Sequence, residues 1–429
     1  MKVLVVGSGG REHALCWKLR QSPLLTELYC APGNPGIAAL ADRVPRAADE
    51  IQELAEFAQE LRIDLTVVGP ELPLSLGIVD EFEKRGLPIF GPRRAAAELE
   101  GSKVFSKEFM ARHGSPTADF EVVRDAAAAR AAAARFGFPV VLKADGLAAG
   151  KGVVIPRDEA ELAAALDLFF TQRRFGVSGE RVVVEQCLEG EEVSLIALAD
   201  GQRVLPLAAA KDYKRLGDGD LGPNTGGMGA HSPAGVLGSE AVTAALEEVL
   251  RPTVQAMDAE NRPFRGFLYA GLMLTPDGPR VLEFNARLGD PEAQVLLLRL
   301  EDDLLPLLAA GAAGAFTTSR LHFRKEAAVC LVLASQGYPE RATTGEAIDG
   351  LERAATHEAV EVFHAATAFE GGRVVSAGGR VIDVCATGAN LAEALRRAYA
   401  AAAEIEWPSK ILRKDIGRRV LASVTAGEA

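Results

Sequence analysis

The sequence predicts a multidomain protein of α/β and α+β class. A doubly wound parallel sheet stands at the N-terminus, a strand-rich lobe in the middle, and a small β-rich domain at the C-terminus. Three observations predict this. Up to about residue 100, apolar strands alternate with amphipathic helices, the pattern of a parallel sheet covered on both faces. From 138 to 200, strand segments dominate, and the last hundred residues hold several short strands and two helices. A chain of 429 residues is also too long for one ordinary core.

The first strand, KVLVVG, runs into GSGGREHA and a helix. A dinucleotide fingerprint needs a third glycine at the place of Glu12 and an acidic residue after the next strand, where Cys30 and Ala31 stand. It fails on both counts. Gly7, Gly9 and Gly10 still free backbone N–H groups at a helix start, where the dipole favours an anion. Arg11 sits in the first helical turn, against the usual acidic preference there, which marks it as a candidate ligand contact. A turn that needs glycine only for its dihedrals is the competing reading. ELYCAP, QELAEFAQELR, DLTVVGPE, LGIVDEFEKRG and PIFGP continue the alternation. Ligands of such sheets bind at the carboxyl ends of the strands, so GSGGRE, PGNPG and GPELPL are expected to line one crevice.

RDAAAARAAAARFG reads as a surface helix started by Asp125 and ended by Gly137. VVLKADGLAAGKGVVI then places Lys143 at the end of a strand and Lys151 between Gly150 and Gly152. It is not the helix-opening P-loop, because Val153 begins a strand. A flap between antiparallel strands can fold over a triphosphate, its N–H groups and Lys151 meeting the oxygens, with Lys143 as a point charge. In VVVEQCLEGEEVSL, the segment Glu185, Gln186, Cys187, Leu188 can offer adenine a strand edge, with Glu192 near the ribose hydroxyls. In RVLEFNARLGDPE, Glu283 and Asn285 share a strand face, and a carboxylate beside an amide oxygen suits magnesium. Glu283 lies in an apolar run and would need a partner if it were structural. Arg287 continues that face as a clamp for an anion. RVVSAGGRVIDVCATG, 373–388, reads as a hairpin in a region with no catalytic set, structural or a wall of the site.

The net charge of −12 argues against a broad nucleic-acid surface. Six of the twelve lysines (103, 107, 143, 151, 211 and 214) fall in one middle stretch, which points to a phosphate site there. No apolar run is long enough to span a bilayer, and the N-terminal strand is too short for a secretory segment. Five cysteines without metal spacing suit buried thiols in a reducing cytoplasm.

The lysine before a glycine-rich flap, the acidic hinge and the late Glu-x-Asn strand resemble the ATP-grasp ligases. The ordered set GSGGREHA, APGNPG, TVVGPELPL, IFGP, LEGSK, KADGLAAGKGV, GPNTGGMGAHSP, GFLYAGLM, EFNARLGDPE and KDIG is similar to their glycinamide ribonucleotide synthetase family, over residues 1 to about 420. The resemblance implies a Rossmann-like substrate domain at 1–101, an ATP-grasp domain at 102–327 with a mobile small lobe at about 120–192, and a C-terminal domain at 328–429. It implies that Lys103, Lys143 and the flap with Gly146, Gly150, Lys151 and Gly152 hold the ATP phosphates. Glu185 to Leu188 would hold adenine, Glu192 the ribose, and Glu283 with Asn285 magnesium or manganese. Gly9, Gly10, Arg11, Glu12, Gly33, Asn34, Pro70 and Glu71 would cradle phosphoribosylamine. Asp212, Lys214, Arg287, Asp290 and the loop Pro223, Asn224, Thr225, Gly226, Gly227, Met228 would face glycine and its acyl phosphate. A cytoplasmic monomer is expected, without nucleic-acid or membrane partners, receiving phosphoribosylamine by transient hand-over from the preceding amidotransferase. Two departures stand out: GFLYAGLML lacks the carboxylate many ATP-grasp enzymes place there, and VFHAAT has Ala366 where the family usually has glycine.

Overall fold

A computed structural model describes residues 1–147, 152–235 and 239–427 of the chain. The first ninety residues form a five-stranded, all-parallel sheet in the order Asp42–Arg43, Glu27–Pro32, Lys2–Gly7, Leu65–Val68, Ile89–Phe90. Val3 and Val5 enter one apolar core and Leu4 and Val6 another, on opposite faces. A strand buried on both sides reads as an unbroken apolar run, which is why the sequence signals a doubly wound sheet. At the carboxyl ends, Gly33 N donates to Gly7 O (3.1 Å) and Gly69 N to Val6 O (3.0 Å), so the three glycine-bearing loops lie side by side.

Two antiparallel sheets follow. The smaller runs Phe120–Val123, Val182–Gln186, Val140–Ala144, Val153–Val154. Val140, Leu142, Ala144, Val182 and Val184 pack under the helices Ala126–Phe136 and Glu159–Leu166. The alanine-rich helix is capped by Asp125, whose side chain accepts from Ala128 N (2.8 Å). It is a surface helix with one face, Ala129, Ala132 and Ala133, buried. Strand alternation leaves Val141, Lys143, Val183 and Glu185 on the opposite face of the sheet. The larger sheet runs Val204–Pro206, Glu191–Asp200, Arg265–Thr275, Gly278–Asn285.

The last sheet contains Lys211–Asp212, Gly229–Ser232, Ala327–Ser335, Arg380–Gly388 and Val360–His364, with Lys410–Ile411 also paired to Ala327–Ser335. Two of these strands come from the middle of the chain, so the loop between them hangs from the C-terminal sheet. The expected 373–388 hairpin does not form. Arg380–Gly388 is apolar on both faces and takes a central place between two other strands, while Arg373–Ser376 pairs with Thr367–Glu370 in a separate ribbon. Ala366 is accommodated opposite a glycine: a Cβ on Gly378 would lie 2.7 Å from its methyl group. No helix among the described residues is long and apolar enough to cross a membrane.

Candidate active site

At the N-terminal crevice, Glu12 explains the failed fingerprint. Its side chain lies between the ends of two parallel strands, where a Cβ on Gly7 would come within 2.5 Å of its Cγ and a Cβ on Gly69 within 2.0 Å of its Oε1. Gly9 N donates to Glu12 Oε2 (2.6 Å), so the chain's own carboxylate occupies part of the helix N-terminus that the sequence offers to a ligand. Arg11 Nε donates to Glu12 Oε1 (2.6 Å) and its Nη1 to Leu288 O (3.1 Å), and the side chain is buried. Asn34 is buried as well. Its amide donates to Ser8 O and His364 O, both at 2.8 Å, and its Oδ1 accepts from Ile37 N (2.9 Å). These bonds make Asn34 a staple of the crevice wall. Gly33, in the left-handed region at φ 63°, turns this loop, and Pro70 precedes the short helix Glu71–Leu76.

Between the two antiparallel sheets lies a charged network. Glu185 bridges the ammonium groups of Lys107 and Lys143, all three side chains almost fully buried. Burial opposes the charge on Glu185, but the two lysines outweigh it and hold its pKa below the ordinary value. Burial lowers Lys107 to about 8. The carboxylate of Glu185 is thus engaged within the protein. Lys143 Nζ also donates to Leu282 O (2.8 Å), which joins the small sheet to the strand Gly278–Asn285. On that strand Glu283 pairs with Lys103 (3.2 Å), which holds its pKa well below the carboxylate range against burial. Glu283 thus has the partner that the linear sequence does not reveal. Lys103 is placed by its helix start: Ser102 Oγ and Val104 N both donate to Asp145 Oδ1, at 2.7 and 3.1 Å. Gly146 follows at φ 132°, and Gly152 O accepts from Ala144 N (2.8 Å) at the far end of the flap. Gly150 and Lys151 lie outside the described residues.

Beyond Glu283 the chain carries Asn285 and Arg287. Arg287 is not a free clamp. Its guanidinium lies between Glu71 (3.1 Å) and Glu100 (3.0 Å), whose charges outweigh burial and raise its pKa. It also reaches Asn285 Oδ1 at a long 3.4 Å. Asp290 accepts from Gln294 Nε2 (3.1 Å) and pairs with Arg380 (3.0 Å). Burial opposes its charge, while Arg380 and Arg11 lower its pKa.

Across the site, Lys214 pairs with Glu192 (3.2 Å) and lies 4.0 Å from Asp212. Burial pushes Asp212 up to about 7; Lys214 opposes the rise, while Glu292 and Glu192 add to it. In the following loop Thr225 Oγ1 donates to Lys214 O (2.8 Å) and accepts from Gly227 N (3.0 Å), while Met228 is buried. Pro223 and Asn224 lie on the exposed strand Leu221–Asn224. A cavity of about 570 Å³ is lined by Gln186, Cys187, Leu188 and Glu189 together with Phe136, Phe138 and Arg280. It includes Gln186, Cys187 and Leu188 of the expected adenine segment but is lined by none of Lys103, Lys143 or Glu283.

Several residues of these networks have no individual role in the sequence reading: Glu100, Gln294, Tyr338, Arg380 and Asp383, with Lys107 appearing only within the lysine cluster. Lys107 and Glu100 had a signal, in the lysine cluster and the LEGSK motif. The others had none. Among the described residues no three His, Cys, Asp or Glu side chains gather as a metal site. Glu283 and Asn285 nevertheless fit a hard divalent ion, which takes oxygen ligands and draws the remainder from water and phosphate. The Lys103 ammonium beside Glu283 holds its carboxylate in the charged form, the form that can ligate a cation.

Family profiles match the chain in order: phosphoribosylglycinamide synthetase N domain over residues 1–100, its ATP-grasp (A) domain over 101–293 and its C domain over 328–419. A phosphoribosylamine–glycine ligase of Mesorhizobium japonicum is 50% identical over 422 residues, covering 98% of this chain and 99% of that protein. One from Allochromatium vinosum is 50% identical over 425 residues, with the same coverage. The crystal structure of the Thermotoga maritima phosphoribosylamine–glycine ligase superposes with a TM-score of 0.85 at 34% identity, over 97% of this chain and 100% of that one. The biotin carboxylase domain of Hydrogenobacter thermophilus 2-oxoglutarate carboxylase shares the fold, with a TM-score of 0.73 at 18% identity over 96% of this chain and 91% of that one.

Proposed function

The chain belongs to the phosphoribosylglycinamide synthetase family, and from that premise we propose that it joins glycine to 5-phosphoribosylamine with ATP. The products are glycinamide ribonucleotide, ADP and phosphate, a step of purine biosynthesis. The observation that carries this reading is the meeting of Lys103, Lys143 and Glu185 with Glu283 where the two antiparallel sheets face each other.

The chemistry follows from the leaving group. A carboxylate will not yield to an amine while oxide must depart. Transfer of the γ-phosphoryl group of ATP to the glycine carboxylate gives glycyl phosphate, the phosphoribosylamine nitrogen attacks its carbonyl carbon, and phosphate leaves. Lys103 and Lys143 offset charge on the transferring group. In this assignment Glu185 to Leu188 hold adenine, chiefly by backbone, Glu192 meets the ribose, and Glu283 with Asn285 hold magnesium or manganese. The divalent ion, when bound, neutralises phosphate charge. Arg287, Asp290, Asp212, Lys214 and the 223–228 loop face glycine and its acyl phosphate. Gly9, Gly10, Arg11, Glu12, Gly33, Asn34, Pro70 and Glu71 frame the phosphoribosylamine crevice. The flap from Gly146 to Gly152, with Gly150 and Lys151, keeps water from the acyl phosphate. We assign 1–101, 102–327 and 328–429 as the three domains and a cytoplasmic monomer as the working form, receiving phosphoribosylamine from the preceding amidotransferase. The test is ADP release from the purified chain: it should require glycine and phosphoribosylamine together. Release with another amino acid and amine, but not this pair, overturns the reading.

A further inference from the structure

We propose that Arg380, on the C-terminal strand Arg380–Gly388, is a positioning residue for glycine activation, because its guanidinium locks Asp290 and the Gly226 turn into one frame. Its Nη1 donates to Gly226 O (2.8 Å) and Asp290 O (2.5 Å), and its Nη2 donates to Asp290 Oδ2 (3.0 Å). A planar fork can make these three bonds at once, which an ammonium cannot reproduce. The turn lies flat against it: a Cβ on Gly226 would lie 3.0 Å from Arg380 Cζ, and one on Gly227, at φ 118°, would lie 2.5 Å from Pro291 Cδ. Tyr338, also C-terminal, accepts from Gly226 N with its hydroxyl (2.8 Å).

A buried counter-anchor completes the frame. Gln294 Nε2 donates to Asp290 Oδ1 (3.1 Å) and Asp383 Oδ2 (2.7 Å). Asp383 is 1% exposed and sits against Gly10, where a Cβ would lie 1.8 Å from Oδ2. Burial and the neighbouring Asp290 push Asp383 up to about 7, with Arg380 opposing. Segments far apart in the chain, at 226 and 290, therefore meet at the guanidinium of Arg380, and Gln294 and Asp383 link this frame to Gly10. Neither the N-terminal nor the middle region can set this geometry alone.

The inference rests on the reading that Asp290 and the 223–228 loop face glycine and its acyl phosphate. The experiment uses the full chain with Arg380→Met and Arg380→Lys, measuring thermal midpoints and the KM of each substrate. Misplacement of reacting groups by about 1 Å costs on the order of a hundredfold in rate, so Arg380→Met should raise glycine KM at least tenfold. ATP KM should stay within about twofold, because the ATP network lies elsewhere. Added guanidinium should restore part of the Met variant's rate. Arg380→Lys keeps the charge and loses the fork, so it must show the same glycine-selective loss even if the Met variant does not fold. Unchanged glycine kinetics in the Lys variant, or equal losses for all three substrates, overturn the inference. Failure of the wild-type chain to couple glycine and phosphoribosylamine would instead overturn the functional reading beneath it.

Discussion

Replacing Glu283 by glutamine keeps shape and one oxygen but removes the charge that pairs with Lys103 and that the proposed divalent ion would share. Coulomb's law at 3.2 Å, with an effective dielectric constant of about 20, gives the Lys103–Glu283 pair a gross attraction of about 5 kcal/mol. The side chains are 17% and 27% exposed, so desolvation offsets much of this and the net contribution should be about 1–2 kcal/mol. In EDTA, Glu283→Gln should therefore lose about that much stability by denaturant titration. A double-mutant cycle with Lys103→Met should recover most of it as coupling energy. With magnesium and ATP the two side chains gain separate partners, and the coupling should shrink. ADP release should fall by about a hundredfold or more, since stabilisation of the transferring phosphoryl group is lost. Excess magnesium should restore only part of the rate. If Glu283→Gln keeps wild-type turnover, or if the coupling is unchanged by magnesium and ATP, Glu283 is a structural ion-pair residue and the metal assignment is wrong.

Glu185→Gln leaves two buried ammonium groups without their carboxylate and should cost about 3–5 kcal/mol in equilibrium unfolding; a change under 1 kcal/mol, on the order of a surface pair, would refute the buried network. Because the folded pKa of Glu185 lies below its ordinary value of 4.5, its stabilisation is full above that pH and is lost as pH falls further. The wild type should accordingly show a steeper acid limb than the glutamine variant. Lys143→Ala should weaken ATP binding about tenfold or more by calorimetry while the circular dichroism spectrum persists, and unchanged affinity would remove it from the phosphate site. Asn34→Ala breaks the bonds to Ser8, His364 and Ile37 and should lower stability by about 2–3 kcal/mol; a higher phosphoribosylamine KM with an unchanged thermal midpoint would show direct substrate contact instead.

The sequence by itself determined what depends on neighbours along the chain. Strand and helix periodicity shows the parallel sheet, because each element must bury its own apolar face. The failed fingerprint is visible at Glu12, and the flap and the Glu283–Asn285 strand are local patterns. Tertiary structure alone decided who neutralises whom. Glu283 reads as an orphan carboxylate because Lys103 is 180 residues away, and Arg287 reads as a free clamp because Glu71 and Glu100 approach from another domain-sized stretch. The hairpin expected at 373–388 failed for a related reason: strand pairing is settled by which apolar faces need cover, and the strand Arg380–Gly388 found two distant partners before its neighbour in sequence. That same displacement carries Arg380 and Asp383 to the N-terminal crevice. Ionic and hydrogen-bonded partners act over a few ångströms of space, and sequence separation puts no bound on which residues folding brings that close.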